Sequence, residues 1–426
     1  MAIIENVIRQ HLDEAEVLRH VRTSLVRAPH VELHRLQRLD ERMAAHLDGL
    51  FVAGDAAAPM VTAALASPTV GLVFVGTVLA LQSRHAERLH ALAAIAEAVP
   101  ELEAGFLSGL GWVSAPDLQG AVRALLGSQT PRHRAWGLQA CAMHRVDPGP
   151  TLNRALEDAD DQVRAVAWRV AGQMGRDDLK AAAATAVRAG SIDAARALTL
   201  WGGVDDVARE VLLRVDEGQT LPRLATHRLL TLASSLDWGR EQVRTLVTQA
   251  EGSAKHKRRM LQMAGWLGDA QVVPWLIQNM ADDVWARAAG EAWSLMTGAD
   301  LAALGLERPP PERVAAGPSD APEDEDVAMD EDDGLPWPDV GKVQAWWRSH
   351  AGQFVAGHRF FAGATPTPAH CWQRLRSAGQ RQRIMAAEHL CLLQRGGQLF
   401  PVAAPAWRQS RWLAAMSSAP SGVGSP

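Results

Sequence analysis

Apolar residues recur at helical spacing through the centre of the chain, most clearly in the stretch that starts at Asp160. Val163, Val166 and Val170 fall on one face of a helix that ends at Gly175. Aspartate before the first turn and glycine after the last turn are residues that commonly begin and end helices. An alanine-rich stretch with a second helical pattern follows. This part of the chain therefore predicts a helix pair.

The same pattern recurs every 30 to 32 residues, as expected for a helical-repeat protein. The first helices are predicted to start near Thr69, Glu101, Arg132, Gln162, Ile192, Leu224, Lys255 and Trp285. The second helices are predicted near 86–98, 117–126, 148–157, 177–189, 203–214, 239–249 and 270–280. One pair cannot bury its own apolar face, so stacked pairs must supply the core. The chain is predicted to be all-α, with a right-handed α-solenoid at its centre.

Arginine and alanine share a register in several first helices. Arg134 and Arg164 align one repeat apart, and each precedes an alanine. Ala135, Ala165 and Ala195 also align. Small side chains let neighbouring helices approach closely, so these alanines are predicted to lie at helix–helix contacts.

The pattern divides the chain into five predicted segments. The first two are an N-terminal helical hairpin or cap at 1–55 and the α-solenoid at 56–308. An acidic disordered linker at 309–334 leads to a small, mostly helical C-terminal domain at 335–416, which is basic and tryptophan-rich. The last segment is a disordered tail at 417–426. The tryptophans of the repeats fall at different offsets, which favours core positions over a shared binding stripe.

The stretch from Ala56 to Ser83 contains no charged residue. A membrane-spanning helix needs about twenty apolar residues in succession. Pro68 interrupts the stretch and favours a new helix from Thr69 to Leu81, which is too short to span a bilayer. A buried repeat helix is therefore predicted, and a membrane partner is disfavoured.

The acidic linker carries nine acidic residues and no basic residue between Asp320 and Asp333. Such a segment has too little apolar surface to form a core. We expect either a solvated spacer or a weak internal ligand that folds back over an arginine-rich surface.

The segment after the linker is basic, with ten basic and two acidic residues in 335–426. Its arginines form the predicted partner-binding surface, which comprises Arg348, Arg359, Arg374, Arg376, Arg381 and Arg383. Basic residues mixed with aromatic residues can also bind single-stranded nucleic acid. The net charge of −5 and the absence of a recognised nucleic-acid motif disfavour that alternative.

Histidine and cysteine occur in groups that resemble metal sites only by composition. No carboxylate completes a cluster with His30 and His34, and the spacing of His370, Cys371 and Cys391 matches no structural zinc pattern. No catalytic residue, cofactor or metal is therefore predicted. Three cysteines are too few for a disulfide framework, and the N-terminus lacks a signal-peptide pattern, so a reducing, cytoplasmic location is expected.

The repeat resembles the HEAT-like repeat first described in phycobilisome lyases. The resemblance rests on Ser253 to Ile277, with further copies at Asp160 to Asp178 and Asp282 to Asp300. It implies a solenoid of HEAT-like helix pairs. Repeats of this type occur in lyases, scaffolds and regulators alike, so the resemblance does not specify one function.

A second resemblance covers nearly the whole chain. Leu39 to Arg42, Ala289 to Ala292, Leu335 to Pro338 and Trp346–Trp347 are similar to a family of bacterial HEAT-repeat proteins of unknown function, often encoded beside type VI secretion components. The resemblance implies an accessory role in handling secreted effectors. It supplies no catalytic residues.

These patterns predict a non-catalytic protein-binding scaffold or adaptor, and not an enzyme. The expected partner is a protein, such as a secretion effector or a component of the secretion apparatus. Two alternatives stay open: an enzyme of the bilin-lyase-like HEAT-repeat class, and a helical-repeat protein that binds nucleic acid.

Overall fold

A computed structural model describes residues 4–214, 220–249, 253–312 and 330–418. In these ranges the chain is all-α, and strands are absent apart from isolated bridges. The helices are α1 (Glu5–Leu25), α2 (Leu33–Ala53), α3 (Ala57–Ala64), α4 (Val70–Gln82), α5 (Ala86–Ala98), α6 (Glu103–Trp112), α7 (Ala121–Leu126), α8 (Pro131–Met143), α9 (Pro150–Ala155), α10 (Asp161–Met174), α11 (Lys180–Arg188), α12 (Ile192–Leu200), α13 (Asp206–Leu213), α14 (Thr220–Ala233), α15 (Leu236–Gln249), α16 (Ala254–Leu267), α17 (Val273–Asn279), α18 (Ala286–Thr297), α19 (Val340–His350), α20 (Pro368–Ser377), α21 (Gln380–Leu393) and α22 (Ala406–Ser418).

The predicted helix pairs are present, because every predicted first helix begins within four residues of its expected start. The two ends of α10 show why the helix boundaries could be predicted. The side chain of Asp160 accepts hydrogen bonds from the backbone N–H groups of Gln162 and Val163. Gly175 adopts the left-handed conformation after the last turn, with φ 70°. Local capping thus fixes where α10 begins and ends.

The uncharged stretch around Pro68 forms two helices, as predicted. Thr69 begins α4 by accepting a hydrogen bond from the backbone N–H of Leu72, and most of α4 is buried. Across the described residues, no helix combines the length and the apolar character that a membrane crossing requires.

The chain forms two compact units whose boundaries differ from the predicted segments. The first unit comprises 1–27, 31–183 and 396–426, and the second comprises 28–30 and 184–395. Within the first unit, α4, α6, α8 and α10 pack in succession. Within the second unit, α12, α14, α16 and α18 do the same. Residues 335–416 are therefore not one separate C-terminal domain, because they are shared between the two units.

In the second unit, a short segment that starts at Arg359 lies against the C-terminal ends of three first helices. The Arg359 guanidinium donates hydrogen bonds to the carbonyl groups of Leu232 and Ser234, just after α14. Phe360 and Ala362 then donate backbone hydrogen bonds to carbonyl groups at the ends of α16 and α18, at 2.8 and 2.7 Å. Helix C-termini carry unpaired carbonyl groups, so this segment satisfies acceptors that would otherwise need water.

The first unit contains a similar arrangement near the end of the chain. Leu399 donates a backbone hydrogen bond to the carbonyl of Gln173 in α10, at 2.8 Å. Arg408 donates to the carbonyl groups of Gly111, Trp112 and Val113 at the end of α6. Two basic residues of the C-terminal part of the chain, Arg359 and Arg408, thus bind helix ends within their own units.

The predicted register of small residues is correct at two positions and wrong at one. Ala135 and Ala195 are fully buried, whereas Ala165 is only half-buried. Ala167 is the alanine of α10 that is fully buried. Ala165 lies at the edge of the buried face of α10, which is formed by Val163, Val166 and Val170.

Replacing Gly105 with alanine is expected to cost about 3 kcal/mol of unfolding free energy, because α6 and α4 approach closely there. A Cβ atom at Gly105 would lie 2.4 Å from the carbonyl oxygen of Val70, a backbone atom that cannot move independently. Urea denaturation of Gly105→Ala measures the cost. Gly352→Ala is the control, since a Cβ atom there meets nothing within 4 Å. Equal stability of both variants would show that α4 and α6 are not closely packed.

Candidate functional site

Arginine recurs in the first helices of the repeats at intervals of 29 to 32 residues. These residues are Arg134, Arg164, Arg196, Arg228, Arg258 and Arg287. In the second unit, the last three lie on α14, α16 and α18, which pack in succession. We call Arg228, Arg258 and Arg287 the arginine row. Acidic residues from later in the chain contact each of them.

Arg258 binds two acidic residues from the end of the predicted linker. Its Nη1 and Nη2 atoms lie 2.6 and 2.9 Å from the two carboxylate oxygens of Asp332, and its Nε lies 2.9 Å from Glu331. Asp332 is 2% exposed. Burial alone would lower the pKa of Arg258, but the carboxylates of Asp332, Glu331 and Asp330 raise it overall. The pair is a charge-assisted, two-point contact that requires arginine rather than lysine.

Arg287 binds the neighbouring acidic residue in the same way. Its Nη1 and Nη2 atoms lie 2.5 and 3.0 Å from the carboxylate oxygens of Asp330, and Nη1 also donates to the carbonyl of Asp332. Burial opposes ionisation of Asp330, but the hydrogen bonds from Arg287 outweigh it and lower the pKa. Two acidic residues separated by Glu331 therefore bind arginines on two adjacent repeat helices.

Arg228 completes the row and binds Glu388 of α21. Its Nε and Nη2 atoms lie 2.7 and 2.8 Å from the two carboxylate oxygens. The side chains are 16% and 9% exposed, so this ion pair is largely removed from water. Burial disfavours the charged guanidinium, but Glu388 outweighs that effect and raises the pKa of Arg228.

Tryptophan rings lie beside the arginine row. The Arg287 guanidinium carbon lies 4.7 Å from the ring centre of Trp337, and Arg258 lies 6.0 Å from that of Trp285. Cations within about 6 Å of an aromatic ring face are stabilised by it. The rings thus provide a second contact for the arginines, and limit the conformations that these long side chains can adopt.

The prediction that 309–334 is a disordered acidic linker is wrong for the C-terminal end of this segment. Asp330, Glu331 and Asp332 are ion-paired with the repeat helices, and Asp332 is buried. The stretch 313–329 and the predicted tail from 419 onward lie outside the described residues. The acidic segment does contact arginines. Its carboxylates pair with Arg258 of α16 and Arg287 of α18, and the carbonyl of Glu331 accepts a hydrogen bond at 3.2 Å from Arg381, one of the arginines expected near the C-terminus.

The six arginines of the predicted partner-binding surface do not form one exposed patch. Arg348 and Arg376 are exposed, and Arg374 is half-buried. Arg381 forms an ion pair with Glu291 at 2.6 Å.

The other two arginines of that predicted surface are engaged in the interior. Arg383 is fully buried and donates to the carbonyl of Leu375 at 2.8 Å. Arg359 donates to the end of α14, and burial lowers its pKa to about 10. The prediction failed because arginine bonds backbone carbonyl groups as readily as it faces solvent.

The three cysteines are buried in the interior. Burial raises the pKa of the Cys141 thiol to about 11 and that of Cys371 to about 12, which suppresses the nucleophilic thiolate form. In the part of the chain that the structure describes, no three histidine, cysteine or acidic side chains group as metal ligands.

Comparisons with protein-family models, with characterised proteins and with solved structures find no match for this chain. The sequence predicted a shared register for Arg134 and Arg164, but it did not predict the arginine row. The acidic partners of the row were not predicted either, since Asp332 and Glu388 follow the arginines they bind by 74 and 160 residues.

Proposed function

We propose that this chain is a non-catalytic protein-binding scaffold, built as a right-handed α-solenoid of HEAT-like helix pairs, that binds an acidic segment of a partner protein at the arginine row. One observation supports the proposal most: Asp330 and Asp332 bind arginines on two successive repeat helices. The repeat spacing and the succession of α14, α16 and α18 support the solenoid arrangement.

The partner segment is expected to contain two aspartates separated by one residue. Arg258 and Arg287 each bind one carboxylate through two nitrogens, so a partner that presents the same pair of carboxylates satisfies both. Isolated ion pairs at a surface contribute little, but partly buried two-point contacts contribute more. The row therefore favours a specific acidic motif over diffuse negative charge.

The chain carries its own copy of this motif, which acts as an internal competitor. The residues before Asp330 are also strongly acidic in sequence. A tethered segment reaches an effective concentration in the millimolar range. A partner must therefore displace Asp330 and Asp332 before it reaches the row, and the free protein is protected from weakly bound polyanions such as nucleic acid.

The test is a fluorescence anisotropy titration with a labelled peptide that has the sequence of residues 321–333. We expect saturable binding to the full chain that weakens as salt rises, because ionic contacts are screened. Arg258→Gln/Arg287→Gln should weaken binding about tenfold or more, as expected for the loss of charge-assisted hydrogen bonds. Circular dichroism confirms that each variant is folded.

Arg348→Gln/Arg376→Gln is the matched control, since it removes the same charge from exposed positions. This variant is expected to bind the peptide with an affinity within about twofold of that of the wild-type chain, because exposed charges contribute little to binding. If this control loses binding and the row variant keeps it, the partner surface lies elsewhere and the proposal is wrong.

The resemblance to bacterial proteins encoded beside type VI secretion components extends the proposal to the identity of the partner. We propose a secretion effector or a component of the secretion apparatus that carries an acidic segment. Affinity purification from the native host, with the wild-type chain and with Arg258→Gln/Arg287→Gln, tests this extension. A secretion protein that is captured only by the wild-type chain is the expected result.

A further inference from the structure

The first unit contains a cavity that is separate from the arginine row. Its volume is about 270 Å³, and residues of α1, α4, α6 and the segment 401–405 line it. Phe74 and Trp112 form an apolar wall, with ring centres 5.8 Å apart in an edge-to-face arrangement. Arg19 and Ser108 provide polar groups on the same cavity. The cavity is therefore apolar on one side and cationic on the other.

Arg19 carries a positive charge that no acidic side chain of the described residues contacts. Its Nη2 donates to the carbonyl of Ala104 at 3.1 Å and to the hydroxyl of Ser108 at 3.3 Å. Nη1 donates to the hydroxyl of Thr23 at 3.3 Å. All of these acceptors are neutral. The side chain is thus held in place at the cavity, but its charge is not balanced.

Two further arginines increase the positive charge around the cavity. Arg22 lines it and pairs with Asp40 through two nitrogens, at 2.6 and 3.2 Å. Arg408 is 4% exposed and donates only to carbonyl groups at the end of α6, among them that of Trp112, which lines the cavity. Of Arg19, Arg22 and Arg408, Arg22 alone pairs with a carboxylate among the described side chains.

Burial of a positive charge without an anion is unfavourable. Burial and the neighbouring charge of Arg22 lower the pKa of Arg19. Burial, Arg411 and Arg22 lower the pKa of Arg408 to about 10. An anion in the cavity would relieve this repulsion, and Phe74 and Trp112 would contact an apolar group attached to it.

We infer that the cavity binds a carboxylate attached to an apolar group the size of one amino-acid side chain. The carboxylate accepts hydrogen bonds from Arg19, whose guanidinium is held in place by the hydroxyl of Ser108, and the apolar group lies against Phe74 and Trp112. The volume is slightly below the range of about 300–1,000 Å³ for drug-sized ligands, which limits the occupant to this size. Such a group occurs in a free aromatic or aliphatic acid, and at the C-terminus of a polypeptide.

Isothermal titration calorimetry with N-acetyl-phenylalanine tests the inference on the full chain. We expect one saturable site per chain, and binding at least about tenfold weaker for the amide of the same compound, which lacks the negative charge. Arg19→Gln should weaken binding of the acid about tenfold, whereas the exposed control Arg35→Gln should leave it unchanged. Equal binding of acid and amide would overturn the inference, as would equal binding by both variants.

Ser108→Ala provides a second variant that keeps every charge in place. It removes the hydroxyl acceptor that holds the Arg19 guanidinium at the cavity, so a loss of about fivefold in affinity is expected. Unchanged affinity in Ser108→Ala together with unchanged affinity in Arg19→Gln would place the acid elsewhere. If Arg19→Gln does not fold, unchanged affinity in Ser108→Ala alone overturns the inference.

The tripeptide Gly-Gly-Phe distinguishes the two sources of the carboxylate. Binding as tight as that of N-acetyl-phenylalanine assigns the cavity to a polypeptide C-terminus. Binding of N-acetyl-phenylalanine without binding of the tripeptide assigns it to a free acid. Absence of binding by both compounds overturns the inference. The cavity lies in the unit that does not contain the arginine row, so its test is independent of the proposed function.

Discussion

Lowering the pH from 7 to 5 is expected to remove about 6 kcal/mol of unfolding free energy, because the buried His227 and His389 and the half-buried His144 are neutral in the folded protein. The folded-state pKa is about 4 for His144, about 4 for His227 and about 3 for His389, and burial is the main cause in each case. Nearby positive charges add to it, such as Arg408 for His144 and Arg359 for His389.

The sign follows from comparison with the unfolded chain, where histidine has a pKa of about 6.5. Below that pH the unfolded state binds protons that the folded state excludes. The stability is therefore fully present above about pH 6.5 and falls as the pH drops toward the folded-state pKa values. At pH 5 each histidine contributes a loss of about 2 kcal/mol, which is large against a typical total of about 5–15 kcal/mol.

Urea denaturation at pH 7 and pH 5 measures the loss. His389→Leu removes one of the titrating groups, so the difference between the two pH values should shrink by about 2 kcal/mol. His34→Gln is the control, because His34 is exposed to solvent. If His389→Leu keeps the full wild-type difference, His389 is not buried in the neutral form.

Replacing Glu388 with glutamine is expected to cost about 3–5 kcal/mol, because it leaves the Arg228 guanidinium largely buried without a carboxylate. Glu388 is the only acidic side chain of the described residues that binds Arg228. The exposed pair Glu241 and Arg244 provides the control, and Glu241→Gln should cost less than about 1 kcal/mol. Chemical denaturation measures both variants.

A double replacement separates the loss of the pair from the cost of an unpaired charge. Arg228→Met/Glu388→Leu removes both charges and fills the same space with apolar groups. Such replacements are often neutral or stabilising, so most of the loss should be recovered. If Glu388→Gln is as mild as Glu241→Gln, the ion pair is exposed to solvent and α21 is not held on α14 by it.

The repeat could be predicted from sequence because its signals are local. Caps such as Asp160 and Gly175 act within one turn of the helices they limit, and the apolar period of each helix is present in its own residues. Tryptophans at different offsets were expected in the core, and Trp136, Trp201 and Trp293 are at most 2% exposed. Local chemistry therefore sufficed for the helices.

The site could not be predicted, because it depends on contacts between distant residues. Asp332 has the sequence environment of a solvated linker, and its two-point contact with Arg258 makes its burial favourable. Composition also could not separate exposed arginines from structural ones. Arg383 and Arg348 lie in the same basic, tryptophan-rich segment of the sequence, yet one is fully buried and the other is exposed.

The most direct test of the proposed function is the affinity of the labelled 321–333 peptide for Asp330→Asn/Asp332→Asn, compared with the unaltered chain. If the internal acidic segment occupies the arginine row, its removal frees the site, and the peptide should bind about tenfold more tightly or better. The gain should disappear when Arg258→Gln/Arg287→Gln is added to the same chain. Equal affinity with and without Asp330 and Asp332 would contradict the account, because the row would then not be the place where an acidic partner binds.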